Sequence, residues 1–314
     1  MPRAAAIALC AAVAVCACSA PPPSPGRASA GETAPASPTN GAGVSTSAPA
    51  ASDAPERPTA VPRPNAAIPR SPRRVADALE DVTGAVRRSV AVWIRRGDPS
   101  SWPPPRTLTL QALYQQRIYR DLARRRRWRS VVARLPISMR TEAEAIVRAN
   151  GAVFAHAHPV PPSYPIRTRA PEPADVLRAY FEEAERRFGV PWSVLAAVNY
   201  VETKFGRVVS NSPAGAQGPM QFLPSTWVAY GMGGDIRDPH DAILGAANYL
   251  HANGAPENIR GALFHYNPVD AYVDAVTSYA SAMRRDPRLY YAMYCWQVYV
   301  LTTRGDQRVT GPGL

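Results

Sequence analysis

After residue 71 apolar residues recur at three- and four-residue intervals through most of the chain. In "SPRRVADALEDVTGAVRRSVAVWIRRG", Val75, Leu79, Val82, Val86, Val90 and Trp93 mark one stripe, the mark of an amphipathic helix. Ser71 suits the N-cap, Pro72 the first turn and Gly97 the stop. After the proline-rich connector "DPSSWPPPR", a second helix is predicted from near Thr109, with Leu110, Leu113, Tyr114, Ile118 and Leu122. A third runs through "SMRTEAEAIVRANGAVFAHA", capped by Ser138. Residues 71–158 thus read as a small helical unit of unknown role. His156 and His158 are two apart, do not share a helix face and read as surface residues. Residues 159–173, "PVPPSYPIRTRAPEP" at their core, read as a linker. Helices resume over 174–287, with "ADVLRAYFEEAERRFG" and then "PWSVLAAVNYVETKFG", opened by Pro191 and stopped by Gly206. In the tail, 288–314, "QVYVLTT" and "QRVT" flank Arg304-Gly305-Asp306, which signals a β-hairpin.

Composition changes the picture before residue 71. Most of the segment 18–70 is Pro, Ala, Ser, Gly and Thr, without the large apolar residues that offset chain entropy, and it reads as a disordered, extended spacer; the alternative is a propeptide remnant. Residues 1–17 differ: Arg3 precedes the apolar run "AAAIALCAAVAV", which is too short to span a bilayer and fits a secretory signal peptide. Val15-Cys16-Ala17-Cys18 resembles the bacterial lipobox, which makes Cys18 the lipidated first residue of the mature chain. The alternative is an ordinary signal peptide cut after Ala20 or at Ala28-Ser29-Ala30. Of the four cysteines, Cys10 and Cys16 leave with the signal peptide, Cys18 takes the lipid, and Cys295 remains as a small buried residue. A formal net charge of +12 calls for an acidic partner, and for an exported protein that means anionic wall polymers or lipid headgroups before nucleic acid. The densest basic cluster, "RRRRWR" at 124–129, is read as a solvated helix face beside membrane or wall; a nucleic-acid patch is the alternative.

The candidate chemistry sits in "NYVETKFGRVVSNSPAGAQGPMQFLPSTW", residues 199–227. Leu195, Val198 and Glu202 fall at i, i+3 and i+7, so Glu202 shares the buried stripe, where desolvation favours a protonated carboxyl and hence a general acid. On helical spacing alone, a glutamate at a frayed, solvated helix end is the stronger alternative. The following loop shifts the balance. Gly215 and Gly218 let backbone approach a ligand, Asn211, Ser212 and Gln217 offer hydrogen bonds, and Met220 and Phe222 offer apolar surface for a sugar face. Tyr266-Asn267 mark a helix-to-loop break before Pro268.

The motifs "ET-x-FG", "SPAGAQGPMQFLPSTW", "DIRDPHDAILGAANYL" and "ALFHYNPVDAYVDAV", in that order, resemble the lytic transglycosylase family over roughly 175–285, with "GPMQFLPSTW" and "YNPVDAY" most similar to the membrane-bound B branch and "SPAGAQG" to the soluble one. The resemblance implies a mainly α, lysozyme-like (goose-type) catalytic domain, preceded here by the small helical unit and followed by the hairpin. It implies Glu202 as the single catalytic acid/base. Ser212, Met220, Gln221, Tyr266 and Asn267 follow as residues that line the cleft or hold substrate or acid. Peptidoglycan glycan strands are then the substrate, with no nucleic acid involved, and the expected location is the outer face of the cytoplasmic membrane through the lipid anchor, or the wall after simple secretion. Thr203 replaces the serine often found after the acid. The segment "VAYGMGGDIRDP" is too short and too poor in alternating acids for a calcium loop, so no metal and no cofactor are expected. Asp235, Asp238, Asp241 and Asp270 are the candidates for a second carboxylate, and "GDIRDPHD" reads as turn and helix-capping acids. With one acid the reaction implied is lytic transglycosylation; a lysozyme-type hydrolase and a non-catalytic wall-binding scaffold are the alternatives. Tyr290, Tyr294 and Trp296 read as core, or as an extension of the glycan cleft.

Overall fold

The computed structural model describes residues 60–314, so the expected signal peptide, Cys18 and most of the 18–70 spacer lie outside the described residues. Eleven α-helices and a two-stranded antiparallel hairpin make up the described fold. The first helix, α1 (Pro72–Arg95), is bounded as its sequence predicts. The Ser71 hydroxyl accepts from the Arg74 N–H, and Gly97 takes the left-handed conformation that follows the stop. All six residues of its predicted stripe are buried.

Helix α2 (Arg106–Ala123) is buried on more than its apolar stripe, because it lies between α1 and the C-terminal tail. Its buried glutamines are hydrogen-bonded on both sides. The amide of Gln115 donates to Thr83 of α1 at 3.1 Å, and Gln111 accepts from Ser89 at 2.7 Å. Gln116 forms a two-way pair with the backbone of Gln297, accepting from its N–H and donating to its carbonyl, each at 2.8 Å. The basic cluster 124–129 is no single helix face: residues 124–127 form the turn after α2, and Trp128 and Arg129 open a short α3 (Trp128–Val132), which is too brief to show a period. Helix α4 (Ile137–Ala155) starts after Pro136, one residue ahead of the expected Ser138 cap, with no side-chain cap. His156 and His158 are exposed.

The chain after residue 173 follows as α5 (Ala174–Phe188), α6 (Trp192–Thr203), α7 (Pro224–Tyr230), α8 (Pro239–Ala252), α9 (Ile259–Tyr266), α10 (Asp270–Arg285) and α11 (Arg288–Tyr294). The expected division into a helical unit, a linker and a second unit does not appear in the packing. Helix α10 is wedged between α6 on one side and α4 on the other, and one continuous hydrophobic core runs from Val75 to Trp296. Nor do residues 159–173 behave as a tether. Val160 bridges the hairpin, donating to Leu301 and accepting from Thr303, and Arg169 donates to the Arg207 carbonyl at 2.9 Å. Proline-rich composition makes this stretch extended, and its remaining N–H groups then pair as a strand's would. The described end of the spacer is pinned too: Arg117 donates to the carbonyl of Ala66 at 2.6 Å and Tyr114 to that of Ala67 at 3.2 Å.

The tail closes the fold. Tyr290, Tyr294 and Trp296 are buried core residues, and the hydroxyls of Tyr290 and Tyr294 donate to the carbonyls of Ala174 and Glu172, both at 2.7 Å. Strand β1 (Tyr299–Thr302) pairs with β2 (Gly305–Arg308) around a two-residue turn, Thr303-Arg304, one residue ahead of the expected Arg304-Gly305-Asp306. Asp306 locks the hairpin to α2 by accepting from both Arg120 and Arg124. Burial pushes its carboxyl up, but the hydrogen bonds and charges of the two arginines outweigh this and hold it below the usual carboxylate range.

A carboxylate so depressed stabilises the fold above the unfolded value of about 3.9, and the contribution is lost as pH falls through the folded value. Asp306→Asn should therefore cost about 1–3 kcal/mol in urea unfolding at pH 7, and the gap to wild type should shrink below about pH 4.

Candidate active site

Every residue of α6 from Ser193 to Thr203 is buried, and Glu202 lies in its last turn with no solvent exposure. The helix stops at Thr203, three residues before the expected stop at Gly206. Lys204, Phe205 and Gly206 take consecutive left-handed conformations, with φ of 55°, 60° and 75°. Two non-glycine residues in that region are strained, and packing and hydrogen bonds hold them there. Lys204 N–H donates to the Tyr200 carbonyl and Phe205 N–H to that of Asn199, while the Phe205 ring is buried against Tyr200 and Tyr290. The Lys204 ammonium turns back to the carbonyls of Tyr200 and Val201, at 2.9 and 3.3 Å. Burial pulls its pKa down to about 7, helped by the charge of Arg120 and opposed by Glu202.

Opposite this helix end sits a tight turn, residues 217–222. Gln217 and Phe222 exchange backbone hydrogen bonds at 2.8 and 3.0 Å, and Gln221 lies inside the turn at φ 51°. Gly218 has φ 73°, and a Cβ there would sit 1.8 Å from the Ile236 carbonyl oxygen, so no other residue fits. Two carbonyls of the turn point inward and are caught by different helices. That of Pro219 accepts from Asn199 at 2.9 Å and Thr203 at 2.6 Å, neighbours at i and i+4 on α6. That of Met220 accepts from the Tyr266 hydroxyl of α9 at 2.6 Å. These bonds join the acid-bearing end of α6, the turn and the C-terminal end of α9.

Of the residues expected around Glu202, Met220 and Gln221 lie in the turn, Tyr266 bonds to it, and Asn267 follows Tyr266, but not all take the roles expected. Gln221 and Asn267 are buried, and Gln221 Oε1 and Asn267 Nδ2 have no hydrogen-bond partner among the described residues. Buried polar atoms of this kind are rare and call for an explanation. Tyr266 is a positioning residue for the turn. Met220 and Phe222 do not offer a surface to a sugar: both are fully buried, Phe222 packing its ring against Trp227 and Tyr266. Ser212 is buried as well, and its hydroxyl accepts from the Ala216 N–H at 2.9 Å, tying the loop ahead of the turn. Asn199 escaped the sequence reading and Thr203 entered it only as a neutral replacement for a serine, although their i, i+4 spacing on the helix of Glu202 was visible. The hydroxyl at 203 is used, donating to Pro219 and accepting from Gly206 N–H.

The other acids serve structure. Asp238 caps α8 through the N–H groups of His240 and Asp241, Asp241 accepts from Asp235 N–H, Asp235 from Arg237 N–H, and Asp270 is exposed at the start of α10. Asp238, His240 and Asp241 bring ligand atoms within 4.8 Å of one another, but His240 is also engaged with Glu183 at 2.9 Å.

Compared with known families, residues 179–286 match the model of the Transglycosylase SLT domain. Over this segment the chain is similar to transglycosylase SLT domains. A curated relative, the membrane-bound lytic murein transglycosylase F of Thiobacillus denitrificans, is 30% identical over 130 residues. That relative carries the F designation, where the sequence motifs resemble the B branch. The alignment covers 39% of this chain and 27% of the relative, so the likeness spans about a quarter of the relative's length. No solved structure matches the chain. Within the matched segment, Glu202 lies in the last turn of a buried helix, and the clamp on Pro219 fixes the turn beside it.

Thr203→Val should remove one of the two donors to Pro219 and lower stability by about 1–3 kcal/mol, whereas Thr203→Ser should stay within about 1 kcal/mol, both read by urea unfolding. Lys204 provides a pH signature. Below pH 7 the amine is protonated in both states, and its burial as a cation is opposed in full. Between about 7 and the unfolded value near 10.4 only the unfolded state holds the proton, so stability rises with pH. The rise between pH 6.5 and 9 should be on the order of 1–2 kcal/mol, allowing for solvent screening, and should vanish in Lys204→Met.

Proposed function

We propose that this protein is a peptidoglycan lytic transglycosylase that cleaves the β-1,4 bond between N-acetylmuramic acid and N-acetylglucosamine, with Glu202 as its single acid/base. The observation that carries this reading is the placement of Glu202: its carboxyl lies without solvent exposure in the last turn of α6, while Asp235, Asp238 and Asp241 are spent on turns and caps and Asp270 faces solvent. Ordinary glycosidases need two carboxyl groups flanking the bond. With one, the substrate supplies the nucleophile. Glu202 gives its proton to the glycosidic oxygen as the C1–O bond breaks, and the N-acetyl group of the muramic acid stabilises the positive charge at C1. The carboxylate then takes the proton of the C6 hydroxyl, whose oxygen closes on C1. The products are a free 4-hydroxyl on one fragment and a 1,6-anhydromuramoyl end on the other, with no water consumed. A carboxyl screened from bulk solvent suits that outcome. Gln221 Oε1 and Asn267 Nδ2 supply an acceptor and a donor for substrate polar groups, while Ser212 and Met220 hold the loop and turn that carry Gln221.

The cell envelope is the location that fits this substrate, with the chain held through a lipid on Cys18. No described helix is long and apolar enough to cross a membrane. The name of the F relative and the basic net charge support an envelope location for this chain.

Digestion of purified peptidoglycan by the protein should give anhydromuramoyl ends by mass spectrometry, and Glu202→Gln should lower their yield by about 100-fold or more with circular dichroism unchanged. Reducing ends instead would mean a hydrolase with a second carboxylate. Full activity in Glu202→Gln would remove Glu202 from the chemistry.

A further inference from the structure

A pocket of about 310 Å³ opens between the start of α1, the end of α2 and α3, outside the SLT domain and sharing no residue with the site around Glu202. Four arginines line it: Arg70, Arg125, Arg126 and Arg127. Arg125 is neutralised by Asp121, its ion-pair partner at 2.6 Å. The side chains of Arg70, Arg126 and Arg127 make no hydrogen bond or ion pair among the described residues. Beneath them the floor is apolar, formed by the buried side chains of Val75, Leu122 and Val131. Three exposed arginines at the mouth of one small cavity, without a counter-charge among the described residues, can offer several N–H bonds to one anion.

We propose that this pocket binds the phosphate headgroup of an anionic lipid. Guanidinium groups match phosphate oxygens in pairs, which singles out a phosphate over a lone carboxylate. The cavity is large enough for a phosphate with a glycerol, and its apolar floor accepts the carbon atoms next to that phosphate. A long wall polymer would need an open groove, and this pocket is bounded on three sides by helices. Its rim includes Pro69 and Arg70, where the chain arrives from the segment that carries Cys18, so a lipid anchor would deliver the pocket to a membrane surface. The headgroup contact then orients the tethered enzyme on the bilayer, with basic residues at the interface as membrane electrostatics favours.

The test is a titration of the full chain with dihexanoyl phosphatidylglycerol below its micelle concentration, followed by calorimetry. Dihexanoyl phosphatidylcholine and inorganic phosphate serve as comparison ligands. The expected result is saturable one-to-one binding of the phosphatidylglycerol, weakened about tenfold or more in Arg70→Gln/Arg126→Gln/Arg127→Gln. A charge-matched control, Arg95→Gln/Arg96→Gln/Arg284→Gln, changes exposed arginines outside the pocket lining and should bind as wild type does. Equal loss in both variants would reduce the effect to bulk charge and overturn the proposal. Phosphatidylcholine binding as tightly as phosphatidylglycerol would overturn it too, as would inorganic phosphate doing so, since the site would then be one for free phosphate. No saturable binding at all would likewise remove it.

Discussion

A buried turn must find donors for its inward carbonyls, and in this protein that requirement organises the site. The carbonyls of the buried Pro219 and Met220 point into the protein, and three side chains from two helices donate to them. Asn199 and Thr203 can reach Pro219 only if α6 presents that face to the turn, and this same geometry places Glu202, the residue before Thr203, in its buried position. Tyr266 can reach Met220 only if α9 ends where it does, which brings Asn267 to the same place. Gly218 is required for the turn to pass beneath Ile236. The candidate acid, acceptor and donor are thus located by the hydrogen bonds that hold the carbonyls of Pro219 and Met220, with Gln221 also donating to the Gly218 carbonyl at 2.9 Å.

The helices outside the SLT domain complete this arrangement. Helix α10 supports α6 from one side and needs α4 on its other. The tail ties its tyrosine hydroxyls to the start of α5 and its backbone at Gln297 to Gln116 of α2. At the far end, Arg87 pairs with both Glu142 of α4 and Asp286 after α10, at 2.8 and 3.3 Å, which pins the two helices by charge. The unit 71–158 is therefore part of the wall behind the acid's helix.

Much of this was legible in the sequence, for a reason that also marks the limit. The stripe of α1, the Ser71 cap and the placement of Glu202 beside Leu195 and Val198 are local regularities, and helical period exposes them. The acids of "GDIRDPHD" were recognisable as caps because capping is a local bond. What stayed hidden depends on partners distant in the chain. Thr203 reads as a neutral replacement until Pro219 is seen 2.6 Å away. Phe222 reads as a sugar platform until Trp227 and Tyr266 are seen around it. Proline content made 159–173 look like a tether, since composition reports extension but not what the extended backbone pairs with. The five-residue α3 has no period to detect, and the helix end at Thr203 follows from tertiary packing that holds Lys204 and Phe205 in left-handed conformations.

The wedge of α10 between α4 and α6 bears on how such chains can be assembled from parts. Recognition by family stops at residue 286 and begins at 179, but the hydrophobic surface does not respect those limits. A segment cut at the recognisable edges would carry one face of α10 bare, and grafting it onto another protein would demand a new cover for that face. The portable unit of this chain is larger than its recognisable one, and the helical segment ahead of the SLT domain is inherited with it as a structural necessity.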